Sequence, residues 1–356
     1  MLSADAPLVL LQHGGLDNLS GKTGLAMLRY RRGPIVAVID PAHAGADLRA
    51  ITGIERSVPV VEDMAAALAY GPAVAVVGLA PSGGRLPAEM RADVVAALRA
   101  GLNLASGLHS RLAEDPEFAS VPLAPEQWIW DLRQEPADLE VATARCAQLP
   151  CRRLLAVGSD MAVGKMSACL ELQAAAQRRG IDARFVGTGQ AGILISGQGV
   201  ALDAVRVDYA GGAVEAAVLA AAQGAGPEAL VLVEGQGSLA HPGSTATLPL
   251  IRGSQPTDLL LVHRAAQTHV RTRPGAEPVA IPPLPELIAA CEALAALGRP
   301  DGLRPRVRAI ALNTALLDAE SAAEQGHQLA ADTGLPVVDP VRAGADALLE
   351  ALLQKG

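Results

Sequence analysis

The sequence predicts an α/β protein of two parallel-sheet domains, a Rossmann-like domain over residues 1–145 followed by a P-loop NTPase-like domain over 146–356. Three observations predict it. Short, wholly apolar runs alternate with helical periodicity in both halves, which is how strands buried on both faces of a parallel sheet read. The 356 residues exceed what one hydrophobic core organises, about 250 to 300, and suit two. Between the halves, near 115–150, runs EDPEFASVPLAPEQWIWDLRQEPADLEVATA, rich in proline and acidic residues and without periodicity, where a linker is expected.

Taken in order, the first half predicts strands at 8–11, 35–39, 58–61, 73–77 and 102–105, with helices near 23–30, 62–69 and 88–100. The second half opens on a strand at 154–157 and a helix over 165–179. Strands near 184–186, 204–207, 230–233, 258–262, 307–312 and 336–338 follow, with helices at 212–222, 284–297, 319–333 and 345–353. No period of about 20 to 50 residues points to a solenoid.

Composition narrows the function. No apolar run reaches the roughly 18 to 20 residues of a membrane-spanning helix. The opening MLSADAPLVLLQ lacks the basic segment and cleavage site of a signal sequence, so a cytoplasmic location is expected. A formal charge of −8 and a pI near 5.4 argue against a nucleic-acid partner, and two Phe, three Tyr and two Trp leave few platforms for bases. Cys146, Cys151, Cys169 and Cys291 form neither a C-x-x-C pair nor a Cys/His cluster, so buried thiols and no metal site are expected. A small-molecule substrate and a homo-oligomer are the expectation.

The strongest local signal is RLLAVGSDMAVGKMSACLEL, in which a strand runs into Gly158, a loop closes at Gly164 and Lys165, and a helix follows at once. Amides in such a loop converge on a phosphate, the helix N-terminus adds positive potential, and the lysine reaches over the same anion. Gly158, Ser159, Asp160, Val163, Gly164, Lys165, Met166 and Ser167 are therefore the expected cofactor-binding residues. Five residues separate Gly158 from Gly164 instead of the usual four, and Met166 stands where Ser or Thr supplies a magnesium ligand, with the hydroxyl one position late at Ser167.

A second signal, ALVLVEGQGSLAHPG, ends a strand in Glu234 beside a Gly-Gln-Gly turn, with His241 in the same loop. A carboxylate at the carboxyl end of a parallel strand faces the ligand crevice, where it holds Mg²⁺, accepts a proton or caps the turn. Asp208 reads equally as a helix N-cap or a functional carboxylate. Glu234, His241 and Asp208 are the catalytic candidates. Thr188 and Gln190, in a glycine-dense run, and Arg206, Arg264 and Arg271 are the substrate-binding candidates, since arginine forks hold carboxylates bidentately. The first half has its own Gly-Lys-Thr at Gly21, Lys22 and Thr23, and Asp40 ends its second strand where a ribose-binding carboxylate would sit, but G-x-G-x-x-G is absent.

The set GSDMAVGKMS, FVGTGQAGILISG, GVALDAVRVDYAGGAVE and VEGQGSLAHPG, with GLHSRLAEDPEF and WIWDLR upstream, resembles the D-glutamate N-acetyltransferase family over nearly the whole chain. That resemblance implies a Rossmann-like domain before a P-loop-type domain, acetyl-CoA as co-substrate, and acetyl transfer to the amine of D-glutamate. The second half alone is also similar to dethiobiotin synthetase and its relatives, in the five-residue spacing, Asp160 and Val233-Glu234-Gly235. This second likeness implies an ATP/Mg-dependent ligase or kinase. Acetyl-CoA brings a pyrophosphate that needs no metal, whereas phosphoryl transfer needs Mg²⁺ bridging the phosphates, so Met166 favours the first and Ser167 leaves room for the second.

Overall fold

A computed structural model describes residues 2–81, 83–273 and 275–354. The chain forms two compact units, Met1–Glu135 with Gln190–Ala204, and Pro136–Gly189 with Val205–Gly356.

In the first unit the elements run β1 (Leu8–Leu11), α1 (Lys22–Tyr30), β2 (Ile35–Ile39), α2 (Leu48–Thr52), β3 (Val60–Val61), α3 (Met64–Leu68), β4 (Val74–Val77), α4 (Arg91–Arg99), β5 (Asn103–Ser106), α5 (Pro116–Ala119) and β6 (Ile129–Asp131). All strands are parallel, in the order β3-β2-β1-β4-β5-β6. This is the doubly wound Rossmann-like order, whose direction of winding reverses between β1 and β4. Strands β1 and β4 are buried at every position because helices cover both sheet faces. Aspartates start several helices: Asp63 accepts from the amide of Ala66, and Asp115 from that of Glu117.

The second unit begins with β7 (Arg152–Gly158), α6 (Lys165–Arg178) and β8 (Ala183–Val186). Next comes α7 (Gln190–Ser196), which packs in the first unit, where Arg31 on the end of α1 donates to the carbonyls of Leu194 (3.2 Å) and Ile195 (3.4 Å). A guanidinium at a helix C-terminus meets both the orphan carbonyls and the negative end of the dipole. The second unit resumes with α8 (Val207–Ala221), β9 (Leu230–Val233), α9 (Thr247–Ser254), β10 (Asp258–Arg264), α10 (Leu284–Ala296), β11 (Arg306–Asn313), α11 (Ala319–Thr333), β12 (Val337–Val338) and α12 (Asp346–Leu353). Its parallel sheet runs β12-β11-β10-β7-β9-β8. Strand β7 is central, with β8 and β9 to one side and β10 to β12 on the other, so the loop leaving β7 lies where the order reverses and ligands bind.

The fold class matches the expectation from sequence, and three local readings are corrected. Residues 129–131 form a strand within the expected linker, because WIWD pairs with β5 and Asp131 then accepts the amides of Leu112 and Ala113, each at 2.9 Å. No strand covers 204–207: a single turn spans Leu202–Ala204 and α8 begins at Val207. Two β-branched valines suggested a strand there, but the alanine-rich run after them propagates as helix. Helices α7 and α9 were hidden in glycine- and proline-bearing stretches. No helix among the described residues is long and apolar enough to cross a membrane.

Candidate functional site

Strand β7 ends on Gly158, and the chain loops through 159–164 into α6, whose first residue is Lys165. Lys165 itself and two distant side chains claim the loop's carbonyls. Lys165 Nζ donates to Asp160 O (2.8 Å), Arg264 Nη2 to Ala162 O (2.7 Å) and Asn313 Nδ2 to Val163 O (2.9 Å). The amide of Met161 is taken by Asp160 Oδ1 at 2.6 Å, and the first bond of α6 runs from Ala168 to Gly164. Among the described residues, no carbonyl or side chain accepts from the amides of residues 162–167. Tying down carbonyls while leaving successive amides unclaimed at a helix N-terminus produces an anion cradle.

Lys165 completes the cradle. It is 6% exposed and lies on the bare backbone of Gly158, where a Cβ would meet its Nζ at 2.7 Å. Burial pulls its pKa down to about 8, with Asp160 and Glu234 pushing the other way. A desolvated ammonium gains most from an arriving anion.

Asp160, fully buried, joins this loop to the segment beyond β10. Its Oδ2 accepts from Gln267 Nε2 (2.6 Å) and from the amide of Arg271 (2.8 Å). The carbonyl of Arg271 lies 2.8 Å from Nε2 of His241, whose Nδ1 accepts from the amide of Gly243 at 3.0 Å. Both ring nitrogens of His241 are thereby committed, with Nε2 as the donor. Ser159 Oγ bonds His263 Nδ1 at 2.8 Å, and burial lowers the His263 pKa to about 4, so this imidazole is neutral.

Glu234 follows β9 and is 4% exposed. Its Oε2 accepts from the amides of Thr188 (2.9 Å) and Gly189 (3.2 Å), Oε1 from Gln236 Nε2 (3.2 Å), and its carbonyl from Thr188 Oγ1 (2.8 Å). Burial pushes its pKa up to about 7, opposed by those bonds and by Lys165. A carboxylate poised near neutrality exchanges a proton in either direction.

These bonds bring together Gly158, Ser159, Asp160, Val163, Gly164, Lys165, Thr188, Glu234, His241, Arg264 and the backbone of Arg271, whose side chain is exposed. Met166 and Ser167, in the first turn of α6, are half-buried. Asp208 stands exposed in the first turn of α8, where its charge suits the helix dipole, and the N-cap is Arg206, whose guanidinium lies 4.7 Å from the centre of the Tyr209 ring. Gln190 belongs to the first unit. Asn313, Gln267 and Gln236 also build the site. Only the last, inside the Gly-Gln-Gly turn, carried a signal in sequence.

In the first unit, the loop with Lys22 and Thr23 is built the other way round. Gln12 is fully buried and fills the space beside Gly24 and Gly78, where added Cβ atoms would meet its Oε1 at 2.1 and 2.0 Å. Its Nε2 donates to Gly21 O at 2.8 Å. Asp40 accepts from the amide of Gly14 at 2.8 Å and faces His43 Nδ1 at 3.1 Å. Lys22 is exposed.

Comparison with known proteins accords with this architecture. Residues 140–349 match the family model described as "Domain of unknown function (DUF1611_C) P-loop domain", and 41–135 the one described as "Domain of unknown function (DUF1611_N) Rossmann-like domain". A D-glutamate N-acetyltransferase from Tritonibacter scottomollicae is 34% identical over 98% of both chains. One from a Pseudoalteromonas species is 36% identical over 78% of this chain and 80% of its own. The crystal structure of a DUF1611 family protein from Anabaena variabilis is 52% identical, superposes with a TM-score of 0.89, and covers 99% of this chain and 100% of its own.

Proposed function

The chain belongs to the D-glutamate N-acetyltransferase family, and on that premise we propose that it moves the acetyl group of acetyl-CoA to the amine of an amino acid, D-glutamate before others. The names of the relatives support an N-acetyltransferase role; the donor and acceptor are our reading. One observation carries it: the amides of residues 162–167 stand unclaimed beneath Lys165, a cradle shaped for a diphosphate such as that of coenzyme A.

In this reading the loop and Lys165 hold the diphosphate. Glu234 serves as general base, taking a proton from the substrate ammonium so that the free amine attacks the thioester carbonyl. The C–N bond forms, the C–S bond breaks, Glu234 returns its proton to the departing thiolate, and the second proton the nitrogen sheds on becoming an amide goes to solvent. Such proton transfer contributes on the order of 10² to 10⁴ in rate. Glu234 is preferred over His241 because each ring nitrogen of His241 has its single site filled, while Oε1 of Glu234 accepts one bond and keeps a lone pair, and its pKa is brought to about 7.

The deciding measurement follows free thiol when the protein is given acetyl-CoA with a panel of D- and L-amino acids, beside ADP release from Mg-ATP. Thiol released fastest with D-glutamate is the expected result. ADP without thiol would replace this reading by the ligase or kinase.

A further inference from the structure

The first unit has a polar cluster at the carboxyl edge of its sheet that the proposed chemistry does not use. Arg133, two residues past β6, is its centre, with a side chain 16% exposed. Its Nη2 donates to Gln190 Oε1, and its Nη1 faces the His109 ring, 2.5 Å from Nε2 and 3.0 Å from Nδ1. Gln190, 8% exposed, donates in turn to Thr23 Oγ1 at 3.0 Å. The loop that carries His109 is fixed a few residues on, where Asp131 accepts the amides of Leu112 and Ala113.

The charge balance of this cluster is unusual for a structural ion pair. Nη1 of Arg133 lies 2.7 Å from Oδ2 of Asp203, whose side chain is 50% exposed, and among the described residues the buried Nε of Arg133 has no acceptor. An arginine built as a strut normally offers its fork to a buried carboxylate through two parallel bonds. Here one oxygen of a solvent-facing aspartate meets the fork, and neutral groups make the other contacts. Burial lowers the Arg133 pKa while Asp203 raises it, the mark of a desolvated cation incompletely matched.

We propose that Arg133, with His109 and Gln190 beside it, is a binding site for the carboxylate of a small acid, and that Asp203 occupies it as an internal stand-in. The acid is either the acceptor amino acid, in which case the proposal rests on the function above, or a separate acidic effector. The chemistry of recognition is the same.

Calorimetry on the full chain with D-glutamate and with succinate, a dicarboxylate lacking the amine, tests the site independently of turnover. Arg133→Lys, which keeps the charge and loses the fork, should weaken binding roughly 10- to 100-fold. Asp203→Asn, which vacates the site, should tighten it about 2- to 5-fold. Opposite signs are the signature, since removing either half of a strut would act in one direction only. If the acid is the acceptor, the D-glutamate KM follows both shifts while the acetyl-CoA KM stays put, and succinate competes with D-glutamate. If it is an effector, succinate alters the rate without competing. Failure of wild-type protein to release thiol would sink the acetyl-transfer reading and leave the binding result standing. No binding of either acid to wild type, or unchanged affinities with a lowered Tm in both variants, would overturn the site.

Discussion

Each half of the molecule carries a strand, a glycine-bearing loop, a Gly-Lys pair and a helix, yet the two loops spend their backbone groups in opposite ways. In the second unit, Lys165 ties up the carbonyl of Asp160 and side chains from far along the chain those of Ala162 and Val163, and among the described residues the amides of 162–167 stay available. In the first unit the amides of three loop residues are bonded at home: Gly15 to Gln12 O (2.7 Å), Ser20 to Asn18 Oδ1 (3.0 Å) and Gly24 to Gly78 O (2.9 Å). The space a ligand would need there holds Gln12. A Gly-Lys-hydroxyl string is therefore not what makes a phosphate cradle; the test is which half of each peptide group is already bonded.

The comparison can be broken most sharply at the strand-end carboxylates. Glu234→Gln should lower kcat about 10²- to 10⁴-fold with the protein still folded, whereas Asp40→Asn in the first unit should cost thermal stability and leave kcat within about 2-fold. Steady-state kinetics beside melting curves decide it, and equal losses of kcat would erase the distinction. Next come the two lysines. Lys165→Ala should raise the acetyl-CoA KM by about 10- to 100-fold, and Lys22→Ala should change nothing measurable. A matching rise at Lys22 would place a second anion site in the first unit.

The pH profile sharpens the contrast further. Glu234 must be ionised to take a proton and its pKa is raised to about 7, so kcat/KM should fall about tenfold per unit below that value. Lys165, lowered to about 8, must be protonated to hold the anion, so a second limb should descend above it. Glu234→Gln should abolish the acid limb, and Lys165→Arg should shift the alkaline limb upward. An acid limb that survives Glu234→Gln assigns the base elsewhere. Gln12→Ala acts on stability and not on turnover, since it removes buried hydrogen bonds and leaves a hole: roughly 1 to 3 kcal/mol should be lost, read by denaturant unfolding, with the acetyl-CoA KM unmoved.

Most of the strands were legible because apolar runs such as LVLL and VAVV have no other use in a chain this polar between them. The phosphate loop was legible too, since its glycines and lysine must be close in sequence to act on one anion. What pins that loop was not. Arg264 and Asn313 meet it across 102 and 150 residues, and nothing local marks either. Strand β6 escaped notice because three residues between prolines carry too little periodicity. Val205 and Val207 misled by propensity alone, and with them went the position of Asp208, which lies inside the first turn of a helix instead of before it. Gln190 was read beside Thr188 as a neighbour in one site. Two residues apart in sequence, they belong to different compact units.

That parting bears on how the protein is cut. Arg31, 3% exposed, depends on the carbonyls of Leu194 and Ile195, and those carbonyls arrive only after the ribosome has made the opening of the other unit. A fragment stopping at residue 135 would keep the bonds of Nη2 to the carbonyls of Ser3 and Ala4, lose both acceptors of Nη1, and uncover the face on which α7 rests. The N-terminal half is thus finished in translation by material it does not itself encode.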